Sequence, residues 1–121
     1  MLENSKAFSG FSADDIPAVK KFYTETLGLA VSEENGMLTL HIAGGRDTLV
    51  YPKSDHKPAT YTTLNFPVDD IEATARELAA RGVVFDKGED IDELGIYRGG
   101  GPLIAWFADP AGNILSIIHE D

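Results

Sequence analysis

The chain of 121 residues carries twenty Asp or Glu against ten Lys or Arg, a formal net charge of −10, and it has no Cys. This charge excludes nucleic-acid phosphates and anionic membrane surfaces as partners, because both would be repelled. The lack of Cys excludes thiolate catalysis and Cys-ligated metal centres and suits a reducing cytoplasm, while no apolar run reaches the roughly 18 residues of a membrane span. We therefore expect one cytoplasmic domain over residues 1–121.

The first half of the sequence predicts a strand, a helix and a three-stranded meander. Apolar residues recur at helical spacing from Ile16 to Leu27, and Gly28 follows where a left-handed C-cap belongs. Asn35-Gly36 is the dipeptide that best accepts the positive φ angles of a two-residue hairpin. The segments of this module one, residues 6–52, are a strand at 6–12, a helix at 16–27 and strands at 29–34, 37–42 and 48–52.

The second half predicts the same order of elements. Polar residues 53–59, with Pro58, interrupt all periodicity and predict a linker. The glycine-rich stretch 86–101 has no clear period and predicts a loop over a site. The segments of this module two, residues 60–121, are strands at 61–66, 83–85, 102–108 and 113–119 and a helix at 70–81.

A repeat marks the junction between strand and helix in both halves. The stretch FSADDIPA at Phe11–Ala18 recurs fifty-five positions later as FPVDDIEA at Phe66–Ala73, with five of eight residues identical. Asp14 or Asp15 in the first copy, and the matching pair of Asp residues in the second, can accept hydrogen bonds from the free N–H groups of the following helix turn. The chain is therefore interpreted as two copies of one structural module.

This doubled order, with FYTETLGL closing the first helix and FADPAGN before the last strand, resembles the vicinal oxygen chelate superfamily over about residues 7–119. That superfamily contains glyoxalase I, extradiol dioxygenases and fosfomycin- and bleomycin-resistance proteins. The resemblance implies an α+β fold in which two βαβββ modules form a mixed eight-stranded, cup-shaped sheet. It also implies a homodimer.

The resemblance further implies a divalent metal held by His and Glu side chains, one on the first and one on the last strand of each module. Counting from the junctions places these positions at Phe8, Thr63, Ser116 and either Leu49 or Tyr51. None of these is a usual ligand for Zn²⁺, Fe²⁺ or Mn²⁺. We therefore expect neither a metal nor another cofactor.

Strand alternation predicts a ligand-binding site where the resemblance would place a metal site. Tyr61, Thr63 and Asn65 share the face opposite the helix-packed residues, and module symmetry gives Phe8 an equivalent place. His41 shares a strand face with Met37 and Thr39, and on a concave face it could act as a hydrogen-bonding or general-base group. The predicted ligand-binding residues are Phe8, His41, Tyr51, Tyr61, Thr63, Asn65, Tyr97, Arg98, Trp106 and Ser116, with Tyr97 and Arg98 closing over the ligand from the loop.

Three functions compete for this site. The first is metal-free binding of a small organic molecule, either cationic or amphipathic. The acidic charge would attract a cation, although general solubility also accounts for that charge. The second is an enzyme in which His41, Tyr61, Asn65 or Tyr97 replaces the metal, although no catalytic residue can be assigned from the sequence. The third is a metal-dependent lyase or dioxygenase, which would require a register error in each of the four strands that carry the expected ligands.

Overall fold

The computed structural model describes residues 1–120 and divides into two compact units, Met1–His56 (unit 1) and the chain from Lys57 onward (unit 2). Unit 1 contains β1 (Ser9–Ala13), α1 (Ile16–Lys21), a π-helical turn (Phe22–Thr26), β2 (Ala30–Glu34), β3 (Met37–His41) and β4 (Thr48–Pro52). Unit 2 contains β5 (Thr62–Pro67), α2 (Ile71–Ala80), β6 (Leu103–Ala108) and β7 (Ile114–His119).

The two units share the order of their first three neighbouring strands, and the sheet of unit 1 has one strand more. The sheet of unit 1 has the order β1-β4-β3-β2, and β1 is parallel to β4 while the other neighbours are antiparallel. The sheet of unit 2 has the order β5-β7-β6, with β5 parallel to β7 and β6 antiparallel to it. The predicted α+β fold built from two βαβββ modules is therefore confirmed.

The repeated junction caps both helices in the same way. Asp15 Oδ1 accepts a hydrogen bond from Ala18 N at 3.1 Å, and Asp70 Oδ1 accepts one from Ala73 N at 3.0 Å. Both Asp residues have extended backbone, with φ and ψ of −133° and 90° at Asp15 and −127° and 91° at Asp70. The second Asp of each copy is thus the N-cap, where a side-chain oxygen satisfies an otherwise unpaired N–H group.

The first helix is shorter than the sequence predicts. A single helix to Leu27 is wrong, because α1 ends at Lys21 and the chain continues as the π-helical turn. There Leu27 N donates to Phe22 O at 3.1 Å, five residues back. Thr24 Oγ1 donates to Lys20 O at 2.8 Å, and this side-chain hydrogen bond competes for the carbonyl that an α-helix would use. This competition accounts for the π-helical turn.

Each helix packs on one face of its own sheet. In unit 1, Val19 and Tyr23 are fully buried together with strand residues Leu38, Leu40 and Val50. The helix of unit 2 packs against β6 and β7, whose alternate residues form the core of that unit. These core residues of β6 and β7 are Ala105, Phe107, Leu115 and Ile117. The opposite face of each sheet is not covered by the helix of its own unit.

The strand predicted at 83–85 does not form, so the described residues contain sheets of four and three strands and not one sheet of eight. Val83 N donates to Leu78 O at the end of α2, at 3.0 Å. Asp86 N then donates to Trp106 O of β6 at 2.8 Å. The segment therefore runs beside β6, but its first N–H group is used by the helix end and no regular ladder develops. No helix among residues 1–120 is long and apolar enough to cross a bilayer.

Candidate functional site

Four of the predicted ligand-binding residues form a row on the face of the second sheet that lies opposite α2. Trp106 of β6 pairs with Ser116 of β7, which in turn pairs with Asn65 of β5. Tyr97 joins the row from the loop, because its backbone N donates to Ile104 O at 2.7 Å and places it beside β6. We call Asn65, Ser116, Trp106 and Tyr97 the Trp106 row.

The Trp106 row combines a polar end with an aromatic end. Ser116 is fully buried, and its Oγ donates to Asn65 Oδ1 at 2.6 Å. This bond fixes the amide so that Nδ2 of the exposed Asn65 side chain can donate to a ligand. The rings of Tyr97 and Trp106 lie 5.8 Å apart between centroids with an interplanar angle of 54°. The row can therefore orient a flat apolar molecule by stacking and by one amide hydrogen bond.

Two predicted residues near the start of β5 do not join the row. The register between β5 and β7 shifts between Thr62 and Leu64, so alternation no longer assigns Thr63 to the face of Asn65. Thr63 Oγ1 donates to Ile114 O at 2.9 Å, which uses the hydroxyl within the sheet. Tyr61 precedes the strand and is 70% exposed. The sequence gives no signal for such a bulge.

Arg98 is also placed differently from the prediction. Its Nε donates to Asp92 Oδ2 at 2.7 Å, and its Nη2 lies 3.4 Å from Glu72 Oε1 of α2. The guanidinium thus lies towards the helix and does not close over the Trp106 row. The hydrogen bond that Arg98 donates to Asp92 raises the pKa of Arg98. Partial burial would raise the pKa of Asp92, but hydrogen bonds from Arg98 and from the N–H groups of Ile96 and Leu94 outweigh it and lower that pKa.

In unit 1, the face opposite α1 carries a shallow pocket of about 230 Å³. We call it the Phe8 pocket, and its lining residues are Phe8, Thr39, Asp47, Thr48 and Leu49. Phe8 is 71% exposed, and Tyr51 further along β4 is also exposed. Gly10 faces Leu49, and a Cβ at Gly10 would lie 3.3 Å from Leu49 O, so glycine leaves this part of the face flat.

His41 lies on this same face and makes two side-chain hydrogen bonds. Its Nε2 lies 2.8 Å from Ser32 Oγ, and its Nδ1 lies 3.3 Å from Asp47 Oδ1. The sequence predicts His41 as a site residue but predicts neither of its two partners, Ser32 and Asp47. The signal for Ser32 was the Asn35-Gly36 hairpin, whose φ angles of 55° and 77° fix the pairing of β2 with β3.

The residues at the expected metal positions do not fit a metal ion. The pairs Gly10 with Leu49 and Asn65 with Ser116 are equivalent in the two modules, so Leu49 and not Tyr51 matches Ser116. Phenyl, isobutyl and two hydroxyl side chains then replace the imidazoles and carboxylates that such a site needs. Across residues 1–120, no three His, Cys, Asp or Glu side chains are grouped so that they could hold a metal ion.

A larger groove in unit 2 contains none of the predicted residues. It measures about 540 Å³ and lies between α2 and the segment 83–95. Its wall includes Ala75, Ala79 and Val83, with charged residues at the rim. None of the residues that the sequence predicted for the ligand site therefore lines this groove.

Comparisons with known proteins agree with this architecture. A family model described as Glyoxalase/Bleomycin resistance protein/Dioxygenase superfamily matches residues 9–117. Among solved structures, the glyoxalase family protein from Enterococcus faecalis is 23% identical with a TM-score of 0.71, covering 98% of this chain and 99% of that one. TnmS3, an antibiotic binding protein from Streptomyces sp. CB03234, is 21% identical with a TM-score of 0.70 and 98% of each chain covered.

A third similar structure is an enzyme. Lactoylglutathione lyase from Agrobacterium tumefaciens is 18% identical with a TM-score of 0.69, covering 95% of this chain and 93% of that one. At these identities the structural likeness shows a shared fold. A search of curated proteins finds no match.

Proposed function

The chain belongs to the glyoxalase/bleomycin resistance protein/dioxygenase superfamily, and from this premise we propose that it binds a small organic molecule without the help of a metal ion. The ligand contacts the Trp106 row in unit 2. Binding, and not metal-assisted chemistry, is the function that the side chains at the expected metal positions support best.

The Trp106 row carries this proposal. Its two rings offer stacking area, and Asn65 offers an amide whose orientation is fixed by the buried Ser116. A buried hydroxyl that holds an exposed amide in one orientation lowers the entropy that ligand binding would otherwise cost. Such a combination of aromatic wall and oriented polar group is typical of small-molecule sites.

The ligand class is an aromatic cation. The net charge of −10 attracts cations from solution, and Tyr and Trp rings bind a cation over their faces. The similarity to an antibiotic binding protein supports a ligand of drug-like size. By analogy with the superfamily we also infer a cytoplasmic homodimer, and light scattering that gives a mass near 13.1 kDa would contradict the dimer.

A thermal-shift screen tests the ligand proposal. The library contains aromatic amines and matched neutral analogues, and a hit at one hundred times its dissociation constant should stabilise the protein by about 2.7 kcal/mol. Asn65→Ala and Trp106→Leu should each weaken binding by roughly tenfold, which is the loss of one hydrogen bond or one stacking contact. Val84→Ala, at a side chain that is 79% exposed beside the larger groove, should bind as the wild type does.

Two results would contradict the proposal. If a hit stabilises Asn65→Ala and Trp106→Leu as strongly as it stabilises the wild type, the hit binds elsewhere. Elemental analysis after dialysis that finds about one tightly bound Zn, Fe, Mn or Ni per chain would overturn the metal-free part.

A further inference from the structure

We propose that Ser32, His41 and Asp47 form a nucleophilic relay that cleaves small activated esters. This activity goes beyond the proposed binding function and does not depend on it, because the three residues lie in unit 1 and use none of the Trp106 row. The three side chains, named here the Ser32 relay, are linked by the two hydrogen bonds of His41.

The geometry assigns each member of the Ser32 relay a role. Asp47 Oδ1 lies 3.3 Å from Nδ1 and accepts a hydrogen bond from the Nδ1–H group, which leaves the lone pair of Nε2 directed at Ser32 Oγ, 2.8 Å away. In that tautomer His41 can accept the hydroxyl proton as a general base. Asp47 is a positioning residue, because it acts through His41.

The hairpin of β2 and β3 holds Ser32 and His41 in register. Ala30 pairs with His41 and Ser32 pairs with Thr39, so the two side chains are diagonal neighbours on one sheet face. The pair Glu34 and Met37 flanks the two-residue turn. A site on paired strands is held more rigidly than a site on a loop, which favours the repeated geometry that nucleophilic attack requires.

A substrate has a place beside the relay. Asp47 and Thr39 both line the Phe8 pocket, and Thr39 is the cross-strand partner of Ser32. The apolar part of an ester can therefore contact Phe8 and Leu49 while its carbonyl approaches Ser32. Because β2 is an edge strand of this sheet and hydrogen-bonded pairs alternate along a hairpin, the backbone N–H of Glu33 faces the open edge and can donate to the oxyanion.

The reaction balances with water as the only co-substrate. Ser32 Oγ attacks the carbonyl carbon, its proton passes to His41 Nε2, and the bond from that carbon to the leaving oxygen breaks as His41 returns the proton to the leaving alkoxide. Water, deprotonated by His41, then attacks the acyl group on Ser32. The bond from the acyl carbon to Ser32 Oγ breaks as His41 returns that proton to Oγ, and the acid is released. One ester and one water give one acid and one alcohol.

A fluorophosphonate probe tests the relay without knowledge of the substrate. Attack by Ser32 Oγ on phosphorus forms an O–P bond and expels fluoride, and the serine proton passes to His41. Peptide mass spectrometry should find the label on Ser32, and Ser32→Ala should lose it. His41→Ala should slow labelling by at least about tenfold, which is less than the usual general-base effect of about a hundredfold or more, because the His41 and Asp47 side chains are 44% and 53% exposed to competing water.

Matched variants separate a relay from a merely structural effect. Asp47→Asn should slow labelling severalfold, and Asp47→Glu, which restores the carboxylate, should recover part of the rate. Ser9→Ala, an exposed serine on β1, should label as the wild type does, and circular dichroism should show every variant folded. Hydrolysis of p-nitrophenyl acetate should follow the same order of variants.

Two outcomes would overturn the relay. One is an equal labelling rate of Ser32 in the wild type and in folded His41→Ala. The other is labelling at Ser12. Ser12 Oγ lies 2.6 Å from His56 Nδ1, so these two residues form a competing Ser–His pair in unit 1. Neither outcome bears on ligand binding at the Trp106 row, so the two proposals fail separately.

Discussion

The two modules share a junction and a strand order but differ in what lies beside the antiparallel strands. In unit 1 a regular hairpin brings β2 alongside β3, and the hairpin itself presents Ser32 and His41. In unit 2 the equivalent place is taken by the irregular segment 81–102, which contributes Tyr97. The difference shows that a repeated frame can carry an ordered strand in one copy and an irregular loop in the other.

The irregular segment keeps its shape through a few specific contacts. Gly95 has a φ of 92°, and a Cβ there would lie 2.4 Å from Phe85 Cβ and 2.8 Å from its Cγ. Phe85 is buried against Phe107, with ring centroids 5.6 Å apart. Asp92 accepts hydrogen bonds from Leu94 N and Ile96 N, both at 2.9 Å.

The largest expected effect comes from Gly95→Ala. The new methyl group forces Phe85 out of its packing, which costs about 1–3 kcal/mol, and the positive φ adds about 1–2 kcal/mol. Gly82→Ala is the control, because Gly82 has a similar φ of 95° but nothing within 4 Å of the added Cβ. Urea unfolding should show Gly95→Ala at least about 1 kcal/mol less stable than Gly82→Ala. Equal losses would mean that Phe85 does not pack on Gly95.

The frame could be predicted from the sequence because its signals are local. The N-cap Asp residues, the Asn35-Gly36 hairpin and the alternation of β6 and β7 each act within a few residues. The bulge at Thr63 and the direction of Arg98 depend on partners far along the chain, Ile114 and Glu72. The Ser32 relay is a different case, because the Asn35-Gly36 hairpin predicts the pairing of β2 with β3, but no sequence pattern indicates that Asp47 lies next to His41.

The next largest expected loss of stability comes from replacing Asp92, which has no counterpart in unit 1. Asp92→Ala removes the acceptor for two backbone N–H groups and the partner of Arg98, and should cost about 2 kcal/mol at pH 7. Because the pKa of Asp92 is lowered in the folded state, its contribution is present above the unfolded value of about 3.9 and is lost as the pH falls through the folded value.

The contribution of Asp92 to stability can be followed against pH as the difference in unfolding free energy between the wild type and Asp92→Asn. The stability gap between the wild type and Asp92→Asn should be constant from pH 7 to about pH 5 and should shrink below about pH 4. Glu93→Gln, at the exposed neighbouring residue, should show no such gap at neutral pH. A gap between wild type and Asp92→Asn that widens towards acid pH would contradict the assigned ion pair with Arg98.

The smallest effect tests what the two modules have in common. Asp15→Ala and Asp70→Ala each remove one N-cap hydrogen bond, and each should cost about 1 kcal/mol. The neighbouring Asp14 and Asp69 are exposed and precede the caps, so their replacement by Ala should change stability by less than about 0.5 kcal/mol. Because the cap geometry is nearly the same in both copies, the two cap losses should agree within about 0.5 kcal/mol and should add in the double variant. Chemical unfolding of the four single variants and the double variant measures this directly. If Asp14 and Asp69 instead proved to be the costly pair, the repeated junction would act through its first Asp, and the assignment of Asp15 and Asp70 as the N-caps would be wrong.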